Sequence, residues 1–480
     1  MSAPKLIDVK PYIISIAGDS SSGKSTISNF IRLYYGYENT TLISGDDLHR
    51  WERGDKNWET ITHLNPDANN LKLGDLQLLS LKEGVKILRK KYNHNTGQLS
   101  DMVTIHSNKY IINEGLHDFY TIGAETLSDL KIYIDIDEDL RIDLKIKRDT
   151  IERGYKRDDV LDSIEKRRAD SKRIKKVQLE KADVIIKIKR GSEIEIEYKN
   201  GNFEFGLLDF IKKLHKELHT FEWINKIIGE SLPLVQSKGG NISTKINNKL
   251  IIKESGGKIK NTNYSSGHSI LNYKNFNIDE INSDKQLHDF LLDSVKNSIY
   301  KKPSMETGFH THFKKYVFHL HPIYLNCILC LENAEEIIKK IFGNLFEYSL
   351  IEYFNPGYEL TKKIVKTKNL KDIIFLKNHG LIVSCDDCYD GIYYVSQINK
   401  LSKEYIKQHI DGFEEFSIDW KIKKQIDSYS WPDSVILDDD ETIATNNYIN
   451  YIGSKLGTIK KLKKEDIEYL INIEAEKYRL

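Results

Sequence analysis

Gly18-Asp19-Ser20-Ser21-Ser22-Gly23-Lys24-Ser25-Thr26 fits the phosphate-cradling pattern Gly-x4-Gly-Lys-Ser/Thr. Glycines let the backbone turn tightly and aim N–H groups at phosphate oxygens, and a helix N-terminus behind them adds partial positive charge. Lys24 can then reach the β- and γ-phosphates of a nucleoside triphosphate, and Ser25 can ligate magnesium. A second set of residues with metal chemistry lies far along the chain. It comprises His319-Leu-His321-Pro322 and Asn378-His379-Gly380, with Pro303-Ser304-Met305-Glu306 upstream. Positions two apart on a strand share a face, so His319 and His321 can reach one ion. His379 completes three neutral nitrogen ligands with an open position, which is how catalytic zinc is held. Glu306 is a carboxylate able to move protons at carbon beside such an ion. His310 and His312 form a rival ligand pair, ranked second because positions two apart on a helix diverge.

The elements that must position these residues are visible as patterns. Tyr12-Ile-Ile-Ser-Ile-Ala17 is short, β-branched and continuous, as a buried parallel strand should be, and Ile27, Phe30, Ile31 and Leu33 follow at near-helical spacing. A second strand from Thr41 ends in Asp46-Asp47-Leu-His49-Arg50, and a third, Tyr110-Ile-Ile-Asn113, runs into Glu114. Open α/β sheets bind ligands along the carboxyl edge of their strands, so these acids are well placed. Phosphoryl transfer needs a carboxylate to accept the attacking hydroxyl's proton, and either Asp46 or Asp47 can serve. Glu114 stands where such an enzyme keeps its second magnesium carboxylate. Residues 140–176 read as one long helical pattern rich in base, either a solvated face or a lid of arginines over transferring phosphate. Residues 193–205 alternate around Lys199-Asn200-Gly201, a hairpin turn signal. In the second half, Gly239-Gly240-Asn241 and Glu254-Ser255-Gly256-Gly257 are turns able to cradle an anion. The tail carries an acidic stretch, Asp438 to Glu441, expected to be a solvated loop, and an amphipathic helix over 464–478.

Composition sets bounds. A chain of 480 residues exceeds one ordinary core, while 39% hydrophobic and 30% charged residues suit a water-soluble, globular protein. A net charge of +1 offers no field for nucleic acid or membrane, and no apolar run reaches spanning length. The N-terminus lacks an apolar signal segment, so a cytoplasmic location is expected. Four cysteines form two pairs of zinc-like spacing, Cys327/Cys330 and Cys385/Cys388. The first pair lies in residues 324–331, which read as a buried strand, where positions three apart face opposite sides. Buried free thiols are the expectation.

Residues 10–190 resemble the phosphoribulokinase/uridine kinase family. The resemblance rests on Gly18 to Thr26, Asp46-Asp-Leu-His49-Arg50, Arg53, Thr62-His63-Leu-Asn65-Pro66, Ala68-Asn69, Glu114-Gly115-Leu-His117, Arg148-Asp149 and Arg153-Gly154. It implies ATP with magnesium as cosubstrate, Asp46 as general base and Glu114 near magnesium. His49, Arg53, His63 and Arg153 would surround the acceptor, with Arg148 and Asp149 at the lid edge. Residues 219–480 resemble the class II aldolase/adducin family through Gly240-Asn241-Ile-Ser243, Ser255-Gly256, Ser304-Met-Glu306, His319-Leu-His321-Pro322 and Asn378-His379-Gly380. That resemblance implies zinc or a similar divalent ion on His319, His321 and His379, with Glu306 as acid/base. Asn241, Ser255, Gly256 and Ser304 would hold a substrate phosphate. Met305 departs from the second hydroxyl that relatives often carry there.

The expected architecture is α/β throughout: a P-loop kinase domain with a mostly parallel sheet over 1–210, then a class II aldolase-like α/β/α domain over 219–480. The expected function is bifunctional: an ATP-dependent kinase acting on a sugar or sugar phosphate, fused to a zinc-dependent aldolase acting on a phosphorylated sugar. A nucleoside acceptor is the alternative for the first half. Epimerisation, dehydration, decarboxylation or an adducin-like scaffold are the alternatives for the second. Small-molecule substrates and a homo-oligomer are the expected partners, with no nucleic acid and no membrane.

Overall fold

The computed structural model describes residues 10–472 apart from 152, 192, 202, 297 and 422–428. Two compact units, Met1–Lys216 and Glu217–Leu480, meet in sequence inside one helix, Phe205–Gly229.

The first unit is built on six strands: β1 (Tyr12–Gly18), β2 (Thr40–Ser44), β3 (Tyr110–Gly115), β4 (Leu130–Ile136), β5 (Val184–Lys189) and β6 (Glu193–Tyr198). Their order is β6-β5-β4-β1-β3-β2, parallel except for the edge strand β6. Ile13, Ile14, Ile16 and Ala17 have no exposed surface, so β1 is covered on both faces as its unbroken apolar run requires. The register sets Ile16 of β1 and Ser44 of β2 beside Glu114 of β3. The three strands therefore end together, and the loops after them share one edge of the sheet. Helix α1 (Lys24–Tyr35) follows the phosphate loop, α2 (Leu71–Lys82) and α3 (Ile122–Leu127) pack on one another, and α4 (Glu138–Ile151) and α5 (Arg157–Lys181) follow β4.

Two expectations change here. The single helical pattern over 140–176 is two helices, interrupted where Gly154 takes φ 71°, a left-handed conformation that stops a helix. The hairpin near residue 200 instead turns at Arg190-Gly191, and Lys187 and Lys189 of β5 form diagonal ion pairs with Glu197 and Glu195 of β6. The Lys199 to Gly201 turn is the exit from β6, with Lys199 N–H donating to the Asp183 carbonyl.

The second unit has seven strands: β7 (Asn241–Ile246), β8 (Lys249–Lys253), β9 (His268–Asn272), β10 (Tyr316–Leu320), β11 (Tyr348–Ile351), β12 (Ile373–Leu376) and β13 (Gly380–Cys385). Their order is β9-β8-β7-β10-β13-β12-β11, antiparallel apart from the β11–β12 pair. Helices α6 (Phe205–Gly229), α7 (Asp284–Ser294) and α8 (Thr307–His310) precede β10; α9 (Ile323–Leu329), α10 (Ala334–Phe342), α11 (Tyr358–Lys366) and α12 (Cys388–His409) follow it. The short α13 (Asp433–Ile436), α14 (Asp440–Leu456) and α15 (Lys464–Asn472) complete the described chain. One core joins α7 to Leu250, Ile252 and Leu271, and a neighbouring core joins α11 to Val317, Ile374 and Ile382. Another gathers α9, α12 and α14 around Cys327, Ile406 and Tyr448.

Two more expectations are corrected. Most of residues 324–331 lie in helix α9, which ends at Leu329, and not in a strand: an apolar run enclosed on all sides carries no period to separate the two, and Pro322 stands at the helix start. All four cysteines are buried free thiols, Cys330 at the end of α9 and Cys385 at the end of β13. The acidic stretch is no solvated loop. Asp439 caps α14 by accepting from the N–H groups of Glu441 and Thr442, and Glu441 accepts from the Ser237 N–H at 2.5 Å. The amphipathic tail is helical over Lys464–Asn472, and residues 473–478 lie outside the described residues. Among the described residues no helix is long and apolar enough to cross a membrane.

Candidate active sites

In the first unit the loop between β1 and α1 has the geometry of a phosphate cradle. Ser21 and Gly23 take positive φ of 64° and 94°. A Cβ on Gly18 would come within 2.6 Å of Ser22 Oγ and 2.9 Å of the Ile134 carbonyl, so only glycine fits. Lys24 Nζ donates to the carbonyls of Gly18 and Asp19 at 2.9 and 2.8 Å, which holds the ammonium over the loop. Burial pulls Lys24 below the usual lysine range, and the nearby charges of Asp46, Glu114 and Asp19 oppose that shift. Ser25 Oγ donates to Glu114 Oε1 at 3.2 Å, and Ser28 Oγ to Oε2 at 2.5 Å. One hydroxyl and one carboxylate thus meet at the ends of α1 and β3, a donor set of the oxygen type magnesium takes.

The two aspartates differ in their partners. Asp47 is nearly enclosed and paired with Arg89 Nε at 3.2 Å and Lys91 Nζ at 3.0 Å, and it accepts from the Tyr92 N–H at 2.9 Å. Its role is to hold the segment after β2. Asp46 points the other way, toward His94 Nε2 at 3.3 Å and His49 Nε2 at 3.8 Å. Burial works against its charge, but the hydrogen bond from His94 and the charges of His49 and Lys24 hold it well below the usual carboxylate range.

Around Asp46 the predicted acceptor residues form a wall. His49 Nδ1 lies 2.8 Å from Asn69 Oδ1, and His63 stacks on Trp58 with ring centroids 3.8 Å apart. Burial and Arg167 lower His63 to about 3, so this ring is neutral. Arg53 donates to the carbonyls of His94 and Asn95 at 2.6 and 3.3 Å. Asp149 is buried among Lys145, Arg148 and Arg153 at 2.7 to 3.2 Å; it positions those cations. Arg141 and Arg148 reach Ser20 in the phosphate loop at 3.4 Å each. A cavity of about 300 Å³ bounded by Asp19, Ser20, Arg141, Lys145, Arg167 and Lys175 lies between this loop and α5. Trp58 and His94 were not expected from sequence; the turn Tyr92-Asn-His94-Asn-Thr-Gly97 was the available signal.

In the second unit the ligating nitrogens of His319, His321 and His379 lie within 4.8 Å of one another, and all three rings are buried. His319 pairs with Asn241 on one side and Ile382 on the other, in the middle of the sheet. Its Nδ1 meets the Leu381 carbonyl at 3.1 Å, and His321 Nδ1 meets Asp433 Oδ2 at 2.8 Å. Both Nδ1 atoms are thereby occupied and both Nε2 atoms turn inward, 3.4 Å apart. Two nitrogens on one tetrahedral zinc at ordinary bond lengths would sit roughly 3.3 Å apart. Burial lowers His379 to about 4, leaving a neutral imidazole fit for ligation, and its Nδ1 has no hydrogen-bond partner among the described residues. Glu306 Oε2 lies 3.2 Å from His319 Nε2, and Oε1 lies 3.4 Å from His379 Nε2. The three histidines fit a divalent metal. His310 stands apart from them, its Nδ1 2.7 Å from Ser243 Oγ.

Asn241 Nδ2 donates to Glu306 Oε2 at 2.8 Å and to Ser304 Oγ at 3.2 Å. Ser255 and Ser304 are drawn together by an antiparallel bridge: Ser255 N–H donates to the Lys302 carbonyl and Ser304 N–H to that of Lys253. Gly256 follows Ser255 at φ 75°. Asn241 and Ser304 therefore border the Glu306 carboxylate, and the bridge holds the segment of Ser255 and Gly256 against the one that carries Ser304.

Residues 13–195 match the model of the phosphoribulokinase/uridine kinase family, and residues 227–406 match the class II aldolase and adducin N-terminal domain. The chain thus joins two regions, each similar to one of these families. The kinase-family domain is 38% identical over 176 residues to phosphoribulokinase of Synechocystis sp., covering 37% of this chain and 53% of that protein. It is 31% identical over 160 residues to uridine-cytidine kinase B of Dictyostelium discoideum, covering 32% of this chain and 65% of that protein. The chain thus spans about half to two thirds of the length of these relatives. A solved N-terminal class II aldolase domain of a conserved protein from Thermoplasma acidophilum is similar at 21% identity and TM-score 0.35, covering 44% of this chain and 98% of that one.

Asp433 of the class II aldolase-family unit lies 112 residues beyond its partner His321, too far for spacing to reveal. Carboxylates that orient a ligating histidine raise metal affinity. Asp433→Asn is expected to weaken divalent metal binding about 10- to 100-fold, read by competition with a chromogenic chelator.

Proposed function

We propose that the kinase-family unit transfers the γ-phosphoryl group of ATP to a hydroxyl of a sugar or sugar phosphate. Magnesium on Ser25 and Glu114 would neutralise developing charge on the phosphates. Asp46 takes the proton of the attacking hydroxyl, its ionised state sustained by His94, His49 and Lys24. His49, His63, Arg53 and Arg153 orient the acceptor, while Arg141 and Arg148 draw α4 toward the phosphate loop and exclude water. The observation that carries this reading is the division of labour between the two aspartates. Asp47 is bound into a structural ion-pair cluster, and Asp46 is aimed at the wall of imidazoles. Lys24→Met is expected to cut turnover at least about 100-fold, since the ammonium is the principal loop cation for transferring charge. The check is a coupled ADP-release assay with an acceptor present.

For the class II aldolase-family unit we infer a metal-dependent reaction on a phosphorylated sugar, carbon–carbon cleavage or formation by first preference. The metal, zinc by its donor set, would polarise a substrate carbonyl and stabilise an enediolate. Glu306 moves the proton at carbon, and Asn241 holds that carboxylate in place. Ser255, Gly256, Ser304 and Asn241 bind the phosphate. The reading is supported by three inward imidazoles and one carboxylate within hydrogen-bond reach of two of them. A set of phosphate-binding residues in the same chain as a kinase unit suggests that one unit's product is the other's substrate. Turnover of the second unit on phosphorylated against free sugar tests this: a strong preference for the phosphorylated form is expected, and equal rates would contradict the coupling.

A further inference from the structure

After α12 the chain returns across the second unit and ties itself to each segment that carries a site residue. Asp433 Oδ2 meets His321 Nδ1 at 2.8 Å. Asn378, next to His379, donates through Nδ2 to the carbonyls of Ser430 at 2.8 Å and Lys460 at 2.6 Å. Tyr469 of α15 packs on Met305, next to Glu306. Glu441 Oε2 accepts from the Ser237 N–H at 2.5 Å, and its Oε1 lies 3.4 Å from Lys258 Nζ. That one carboxylate thereby links the chain just before Asn241 to the chain just after Gly256. Lys460 N–H donates to the Cys330 carbonyl at 2.7 Å, and Leu331 and Ile459 form an antiparallel bridge, which lays residues 429–469 along the end of α9 as a strap.

The rest of the unit makes room for the strap. A Cβ on Gly239 would come within 2.4 Å of Asp433 Oδ2 and 3.1 Å of His321 Nδ1, so a glycine at that turn leaves the carboxylate its path to the imidazole. Trp431, fully enclosed, meets the His321 ring edge-to-face with centroids 5.5 Å apart. Asn378 holds a left-handed φ of 55°, which an asparagine tolerates, and so turns its amide toward the strap carbonyls. A divalent ion on the Nε2 of His321 makes the Nδ1–H a stronger donor to the Asp433 carboxylate. Whatever the docked carboxylate adds to metal affinity the metal adds to docking, because a coupling free energy belongs to both events. We propose that residues 429–469 are a positioning strap for the metal centre, and that metal binding and strap docking form one linked equilibrium through the His321–Asp433 bond. This inference rests on the reading of His319, His321 and His379 as metal ligands.

The test is amide hydrogen exchange, read by mass spectrometry on the full-length protein stripped of metal and then saturated with zinc. The reporting amides are those of Leu437, Lys460 and Leu462, which donate to the carbonyls of Asp433, Cys330 and Tyr429. By reciprocity zinc is expected to slow their exchange by the factor that Asp433 contributes to metal affinity, about 10- to 100-fold, and to leave peptides of β1 and α1 unchanged. In Asp433→Asn, also saturated with zinc, the zinc-dependent slowing is expected to shrink to about threefold or less. A carboxylate with a merely structural role would raise exchange equally with and without zinc. Competition with a chromogenic chelator on the same samples reads zinc binding itself. Zinc bound by the parent with no change in exchange, or slowing that persists in full in Asp433→Asn, would overturn this inference alone. A parent that binds no zinc would overturn the metal reading and the strap with it.

Discussion

His319→Ala is expected to leave the purified protein without stoichiometric divalent metal and to lower turnover by the class II aldolase-family unit at least about 10³-fold, while ATP-dependent turnover by the first unit is unchanged. The magnitude follows from what the metal would do. Polarising a carbonyl contributes several kcal/mol to the transition state, and each ~1.4 kcal/mol is tenfold in rate. His319 is the central ligand by position: it lies mid-sheet, and its Nε2 faces both His321 Nε2 at 3.4 Å and Glu306 Oε2 at 3.2 Å. Its loss leaves two ligands and removes a contact of Glu306, so both metal and proton transfer suffer. Metal analysis by mass spectrometry together with turnover of a phosphorylated sugar reads the two effects separately. Stoichiometric metal retained in the variant would remove the histidine cluster from the account.

The second large effect separates the paired aspartates. Asp46→Asn keeps shape and hydrogen bonding but cannot accept a proton, so phosphoryl transfer is expected to fall about 10²- to 10⁴-fold with melting unchanged. Asp47→Asn is expected to do the reverse. It leaves the Arg89 guanidinium buried against a neutral amide, and breaking a buried pair in this way costs about 3–5 kcal/mol of stability. Turnover per folded molecule should stay within a few-fold of the parent. Thermal melts and initial rates on both variants decide the matter, and equal loss of rate in the two would contradict the assignment.

How much of this is legible in the sequence depends on distance along the chain. The phosphate loop is one continuous segment between a buried strand and a helix, so its residues carry their own context. Glu114 and Asp46 were legible because each ends an apolar strand, and parallel pairing with β1 and β2 brings such ends together. His319 and His321 were legible because a period of two is the property a strand has. What escaped was supplied from afar. His94 reaches Asp46 from a short ribbon whose sequence reads only as a turn, and Asp433 reaches His321 from the tail. Asp47 looked equivalent to Asp46 because its partners, Arg89 and Lys91, lie more than forty residues away. Residues 324–331 misled for the opposite reason. A segment apolar on every side carries no period, and its helical form is set by α12 and α14 closing around it.

The central claim is that one chain carries two separable catalysts. It is tested most directly by an ATP-consumption screen over pentoses, ketose phosphates and nucleosides, run on the parent, Asp46→Asn and His319→Ala proteins side by side. The account predicts one acceptor class that drives ATP consumption in the parent and in His319→Ala, with the signal abolished in Asp46→Asn. No acceptor-dependent consumption with any of the three classes, or a signal that survives Asp46→Asn, would contradict it.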